Sequence, residues 1–407
     1  MSRMRKPLLP IVVAVVVIAA QLAVALPSYA FPGDERDERC AALLAQAEAV
    51  THAELSTLNV GDSGTTTSEA NSTVSNPYAD LPDDCTPHTG MSAIQMRAAE
   101  AEMTQHPTPD VVQVPYDEDV VWTRAYRRLN GDITILDAPN GNPIGSLSAG
   151  YNFVTAVSYE GGWVQINYGQ WVPEEQVTFA DVSEFSGVEI QEQPERPFAW
   201  MLAEAYPSRY PGGPEDKEAE QIERYSLMNI YGVEYVDGWE WYLVGPDEWL
   251  QQIRVAKVQP IKRPEGIGPD EKWVAVDLFE QTLVAYEGDK MVFATIVSSG
   301  LALWSTPQGL FHIYDRFENT RMSGAAGQPD FYFIEEVPYV MYFDGDVALH
   351  GTYWHDRFGY RQSHGCVNLS IMDAGWLFQW TEDAPTAAVY VYISGIYRSD
   401  LPAWARR

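Results

Sequence analysis

From about residue 117 onward the chain is cut into short apolar runs of strand length, divided by glycine- and proline-bearing turns. Runs such as Lys272-Trp273-Val274-Ala275-Val276-Asp277 and 281–286 are short and rich in β-branched and aromatic residues, which suits strands. Further runs at 291–298, 310–314, 339–343, 347–350 and 387–393 continue the pattern, with a glycine-rich loop at 323–327. One helix interrupts it: Ser370-x-x-Asp373 is a capping box ahead of Ala374, Leu377, Phe378 and Thr381. The expected C-terminal unit, residues 270–395, is therefore a β-sandwich or barrel with one helix beside a loop.

Ahead of it, 117–260 carries a diverged internal repeat. The first copy holds Gly161-Gly162-Trp163-Val164 and Trp171; the second holds Gly238-Trp239-Glu240-Trp241 and Trp249. Trp163 to Trp171 and Trp241 to Trp249 are both eight positions, and each second tryptophan precedes a valine by six. Alternating strands with glycine turns predict two small antiparallel barrels, at 117–183 and 196–260. They resemble bacterial SH3-like domains, which accompany cell-wall enzymes; the resemblance implies that they position an enzyme on a peptide or glycan. Aromatic residues at strand spacing serve equally as barrel core. An acidic insert at 207–224 lengthens an early loop of the second copy. Prolines and glycines at 257–270 mark a linker.

The first thirty residues have the layout of a secretory signal: Arg3, Arg5 and Lys6, an apolar run from Leu8 to Leu26, then Ser28-Tyr29-Ala30. The run is near the length of a membrane span, so an uncleaved anchor is the alternative. Either way the remainder is expected outside the cytoplasm, in the cell wall or periplasm. Residues 31–110 read as helical segments and a linker, with helices at 31–54 and 91–104. The chain has three cysteines. In an oxidising compartment Cys40 and Cys85, flanking a polar stretch, are the expected disulfide, which leaves Cys366 as the odd thiol. The net charge of −31 repels polyanions and argues against nucleic acid or an anionic membrane surface as partner. No feature of the sequence speaks to oligomeric state.

The odd cysteine lies in Ser363-His364-Gly365-Cys366-Val367-Asn368, and Leu349-His350-Gly351 lies upstream. A thiol acts as nucleophile when a base or positive charge favours its thiolate. Cys366 is thus the candidate nucleophile. His350 is the candidate general base and His364 the alternative base or a support of the loop. Gly365 permits close backbone approach, so that amides near Cys366 can stabilise an oxyanion. Ser363 and Asn368 tie down the loop or contact substrate, and Arg361 either holds a carboxylate bidentately or is a solvated charge of the lid. Tyr342 is a candidate wall or a core aromatic. His355 reads as a surface or packing residue. A zinc site from His350, His364 and Cys366 uses ligand types but lacks a second spaced pair.

A strand ending in His-Gly, followed twelve positions on by Ser-His-Gly-Cys-Val-Asn, resembles the signature of the L,D-transpeptidases, the YkuD-type domain. The likeness covers about 270–395, including Asp277, Leu278 and Thr306-Pro307-x-Gly309. It implies that Cys366 attacks the third residue of a peptidoglycan tetrapeptide stem, an L-centre, and expels D-alanine. An amine of a second stem then resolves the thioester into a 3→3 cross-link. No cofactor is implied, and the partners are peptidoglycan stem peptides. The alternatives are an L,D-carboxypeptidase on the same scaffold, an NlpC-type peptidase, whose cysteine precedes its histidine, and a non-catalytic wall-binding protein.

Overall fold

A computed structural model of the chain describes residues 91, 93–324 and 331–395. The leader, the helix expected at 31–54, the linker after it and the Cys40–Cys85 pair lie outside the described residues.

Helix α1 (Ala93–Gln105) coincides with the methionine-bearing segment. Met96, Ala99 and Met103 recur at helical spacing and are buried against Trp241, Leu243 and Trp249. Strand β1 (Val112–Gln113) and the one-turn helix α2 (Glu118–Val121) follow, the helix capped by the Asp117 carboxylate, which accepts from Asp119 N at 2.9 Å.

The first tryptophan-bearing region comprises β2 (Tyr126–Leu129), β3 (Ile133–Leu136), β4 (Pro143–Leu147), β5 (Tyr151–Thr155), β6 (Ser158–Glu160), β7 (Trp163–Asn167), β8 (Gln170–Pro173) and β9 (Val177–Phe179). Five of these strands form a sheet in the order β4-β3-β8-β7-β6. After β10 (Val188–Glu189), the second region comprises β11 (Phe198–Met201), β12 (Leu227–Asn229), β13 (Gly232–Val236), β14 (Trp239–Gly245), β15 (Glu248–Gln251) and β16 (Val255–Val258). Two three-stranded sheets result, β12-β11-β16 and β13-β14-β15. In both regions a hairpin carrying the tryptophans passes through a 3-10 turn into a strand that pairs with the region's opening strand, β9 on β2 and β16 on β11. Trp249 is buried, whereas Trp163 and Trp171 are half-buried.

The C-terminal region comprises β17 (Lys272–Asp277), β18 (Thr282–Glu287), β19 (Lys290–Ile296), β20 (Gly309–His312), β21 (Asp315–Gly324), β22 (Tyr332–Asp344), β23 (Val347–Gly351), β24 (Val367–Leu369), helix α3 (Ile371–Trp380) and β25 (Ala388–Tyr392). It is mostly β, as expected. Two seven-stranded sheets organise it. One runs β1-β10-β19-β18-β17-β25-β20; the other runs β24-β23-β22-β5-β2-β9, with β21 paired on β22. Val276, Leu283, Phe293 and Val389 of the first sheet meet Val337, Met341, Leu349 and Leu369 of the second, with Leu377 of α3 in the same core.

The first sheet is covered on its other face too. Trp273, Tyr286, Met291 and Ile296 pack against Phe198, Trp200, Ala256 and Val258 of the second tryptophan region. Burial on both faces explains why β17 to β19 read as nearly unbroken apolar runs rather than alternating ones. The long hairpin β21–β22 departs from expectation. Beyond the strand expected at 339–343, two strands of 10 and 13 residues stand there, and residues 325–327 of the expected glycine-rich loop lie outside the described residues. The first, Asp-Arg-Phe-Glu-Asn-Thr-Arg-Met-Ser-Gly, is mostly exposed and polar, so it carries no alternating apolar signal.

Candidate active site

The geometry follows from one strand register. Strand β23 pairs in parallel with β24, placing Leu349 opposite Val367, His350 opposite Asn368 and Gly351 opposite Leu369. Side chains alternate across a sheet. Leu349, Val367 and Leu369 therefore enter the core, where all three are fully buried. His350 and Asn368 share the other face, and Cys366, two residues before Asn368, shares it with them. Cys366, His350 and Asn368 all line one cavity of about 400 Å³.

His350 is buried, and its Nδ1 lies 3.0 Å from the carbonyl of Gly351. A carbonyl only accepts, so Nδ1 carries the proton and Nε2 presents its lone pair. Burial lowers the imidazole pKa to about 4. Burial likewise pushes the Cys366 thiol up to about 11; the Ala348 N–H works against that shift and the Asp346 carboxylate adds to it. The thiol donates to the Asp346 carbonyl at 3.6 Å. At neutral pH the free site thus holds a neutral thiol and a neutral imidazole. A preformed thiolate, the state expected of an activated cysteine, is disfavoured because the site is desolvated.

The loop before Cys366 is held from three sides. Ser363 Oγ donates to the Cys366 carbonyl and accepts from Gly365 N at 3.1 Å. Thr306 Oγ1 donates to the Gly365 carbonyl at 2.7 Å and accepts from Gly300 N at 2.9 Å. Ser363 N donates to Ser299 O at 3.1 Å, and Leu301 N to Ser363 O at 2.9 Å. Gly365 has φ of +126°, a conformation that side chains rarely adopt. Gly300 is needed for a different reason: a Cβ there would stand 2.0 Å from Trp304 O and 3.0 Å from Gly365 Cα. Ser363 is thereby a loop tie. The Gly365 amide points inward to Ser363, so the glycine serves the loop's bend.

Asn368 is also tied inward. Its amide lies 2.9 Å from Nε2 of His355. Arg357 N donates to His355 Nδ1 at 3.2 Å, so Nε2 holds the ring proton and the amide oxygen of Asn368 is the end that satisfies it. His355 is buried, not at the surface, and burial with the neighbouring His350 lowers its pKa to about 3. The segment carrying His355 is anchored by its neighbour Asp356. That carboxylate accepts from Arg224 Nη1 at 2.9 Å, from Tyr225 Oη at 3.0 Å and from Ser183 Oγ.

His364 is exposed at the rim, its ring 4.3 Å from that of Trp304 and 5.2 Å from that of Tyr332. Arg361 and Tyr342 are not among the residues lining the cavity. Tyr342 packs instead with Tyr314 and Phe317, at ring distances of 6.4 and 6.1 Å. Among the described residues no three His, Cys, Asp or Glu side chains are grouped to hold a metal ion. The cavity also takes residues that sequence reasoning did not single out: Tyr151, Met322, Ile334 and Asp346. Met322 and Ile334 belong to the long hairpin, and Tyr151 belongs to the first tryptophan region.

Residues 271–391 match the family described as YkuD, the L,D-transpeptidase catalytic domain. No curated protein matches the chain. Among solved structures the chain is similar to an L,D-transpeptidase point mutant from Enterococcus faecium, at 28% identity over 30% of this chain and 50% of that one, with a TM-score of 0.27. It is similar to an L,D-transpeptidase from Stackebrandtia nassauensis at 28% identity, over 34% of this chain and 60% of that one, with a TM-score of 0.26. For L,D-transpeptidase 1 from Mycobacterium tuberculosis the identity is 22%, over 30% of this chain and 62% of that one, with a TM-score of 0.25. The chain spans about half the length of the first of these structures. With Cys366 and His350 on one sheet face inside the matched segment, residues 271–391 are an L,D-transpeptidase catalytic domain of the YkuD family.

Proposed function

We propose that the protein is an exported peptidoglycan L,D-transpeptidase that works through an acyl-enzyme on Cys366. The observation that carries this reading is the pairing of a thiol and a neutral, Nδ1-protonated imidazole on one face of β23–β24, within a domain of this family.

His350 Nε2 takes the proton as Sγ attacks the carbonyl of the third stem residue. The same proton passes to the departing nitrogen of D-alanine as the peptide bond breaks and the thioester forms. An amine from a second stem then attacks the thioester, His350 takes its proton, and the sulfur leaves and is reprotonated. The product is a 3→3 cross-link. Keeping both groups uncharged suits a base whose task is to move one proton within a desolvated cavity. In this reading the N-terminal segment, with the layout of a secretory signal, directs the protein out of the cytoplasm, and the two tryptophan-bearing regions, read as SH3-like, hold the enzyme on its polymer.

The test is intact-mass analysis with a tetrapeptide donor. The wild-type protein gains an acyl group and Cys366→Ala gains none. Adduct formation by Cys366→Ala would overturn the assignment of the nucleophile. Cross-linked dimers among the products support transfer, and tripeptide monomers alone would show that water resolves the thioester.

A further inference from the structure

The cavity that contains Cys366 is not closed by the family-matched segment alone. Strand β5 pairs in parallel with β22, placing Tyr151 opposite Tyr332, Asn152 opposite Phe333 and Phe153 opposite Ile334. This joint is not a surface touch: Asn152 and Phe153 are buried, and the Tyr126 ring stacks on Tyr353 at 3.9 Å. It brings the Tyr151 ring into the cavity, with its hydroxyl donating to the Trp354 carbonyl at 3.2 Å. Tyr151 as a whole remains 38% exposed and is one of the residues lining the cavity.

The cavity is divided in character. Cys366, Ser363, Asp346 and Asn368 bring polar groups to the lining, and Tyr151, Tyr332, Met322 and Ile334 bring apolar surface. A peptide acyl donor presents its reacting carbonyl to the first group and its aliphatic side chains to the second. Aromatic surface in such a position contributes to binding through apolar area rather than through the chemical step.

We propose that Tyr151 is a specificity-determining residue for the acyl donor, so that the region before the family-matched domain supplies part of the substrate site. The inference rests on the transpeptidase reading above and deepens it. Donor affinity is measured by titrating a tetrapeptide into the Cys366→Ala protein with and without Tyr151→Ala. Acylation at saturating and limiting donor is measured in the protein with Cys366 intact. Tyr151→Ala is expected to weaken donor binding about tenfold and to lower the limiting-donor rate by a similar factor, with a much smaller change in the saturated rate. Alkylation of Cys366 by iodoacetamide reports whether the thiol's surroundings are intact and is expected to change less than about twofold, a shift of well under 1 kcal/mol.

Unchanged donor affinity in Tyr151→Ala overturns the inference, as does a fall confined to the saturated rate. If Tyr151→Ala fails to unfold cooperatively, Tyr151→Thr, which suits a strand but removes the ring and most of its apolar area, is measured instead, and wild-type affinity there overturns the inference equally. A wild-type protein that forms no acyl adduct would sink the transpeptidase reading itself. A wild-type protein that acylates normally, beside a Tyr151 variant of unaltered affinity, sinks only the role of Tyr151.

Discussion

His350 and Asn368 face each other across the parallel pair β23–β24, and each is satisfied by a partner that turns it away from free rotation. His350 is held by the Gly351 carbonyl at 3.0 Å and Asn368 by His355 at 2.9 Å. Cys366, one side-chain repeat before Asn368, takes its place from the same register. The positions of Cys366 and His350 are thus set by backbone pairing, with side-chain contacts fixing only the ring and amide orientations.

The base assignment has a pH signature. His350 accepts a proton only when neutral, and its pKa is lowered to about 4, whereas the thiol stays protonated up to about 11. The acylation rate should rise with pH through about 4 and then stay flat across the neutral range. His350→Ala should slow acylation on the order of 10² to 10⁴-fold. Its remaining rate should climb about tenfold per pH unit, because thiolate is then the only nucleophile. A sigmoid centred near pH 6.5 in the wild-type protein would count against a neutral pair.

Two glycines beneath the thiol loop should fail for different reasons. Gly365→Ala forces a side chain onto a residue with φ of +126°, at a cost of about 1–3 kcal/mol. Gly300→Ala drives a methyl into the Trp304 carbonyl 2.0 Å away and must displace the backbone under Gly365. Both should lower the denaturation midpoint and slow acylation more than tenfold, about 1.4 kcal/mol in the barrier. Acylation at the wild-type rate in Gly300→Ala would show that the loop is not positioned from below.

Arg224 acts at a distance from the thiol. It binds both the carboxylate and the carbonyl of Asp356, next to His355. Arg224→Ala should cost about 1–3 kcal/mol, the scale of hydrogen bonds to a charged group, read by denaturant unfolding. Arg224→Lys should recover less than half of it, since an ammonium cannot span both acceptors as the guanidinium fork does. Full recovery by lysine would reduce the contact to simple charge pairing.

Buried titrating groups set the acid response in opposite senses. His350 and His355 have folded pKa values near 4 and 3, below the ordinary value of 6.5. Their contribution is complete above about 6.5 and is lost as the pH falls from there toward the folded values, because the unfolded chain binds the protons first. Asp373 is the reverse case. Burial raises its carboxyl to about 6 from 3.8, so its contribution is complete below about 4 and is lost as the pH rises through 6. Asp373→Asn removes the opposing group. Stability measured from pH 7 down to 4.5 should then fall more steeply than in the wild-type protein. An unchanged slope would mean that Asp373 does not titrate in this range.

The residues that were readable in advance are those whose signal is local. The spacing of His350 and Cys366, the apolar runs of β17 and β18, and the Ser370 cap each announce themselves within a few positions. Ser370 Oγ accepts from Asp373 N at 3.1 Å as expected. The Asp373 side chain, however, reaches Thr295 Oγ1 at 2.6 Å and Gly187 N at 2.7 Å instead of closing the box. Those partners lie far along the chain, and no local pattern points to them. The same holds for His355, whose partner Asn368 becomes a neighbour only when β24 forms. Tyr151 enters the cavity through a parallel pairing between strands about 180 residues apart, for which β5 itself carries no mark. Strand β21 escaped notice because its polar, exposed faces give no periodicity to read.

The doubly covered first sheet has a practical consequence. A recombinant fragment cut to residues 271–391 would lose the layer over Trp273, Tyr286, Met291 and Ile296 and the strands that close β19 and β22. It would offer solvent a greasy plate and two raw strand edges, the ingredients of intermolecular sheet stacking. The stretch that bears the family signature and the stretch whose apolar faces and strand edges are covered are therefore different lengths of chain.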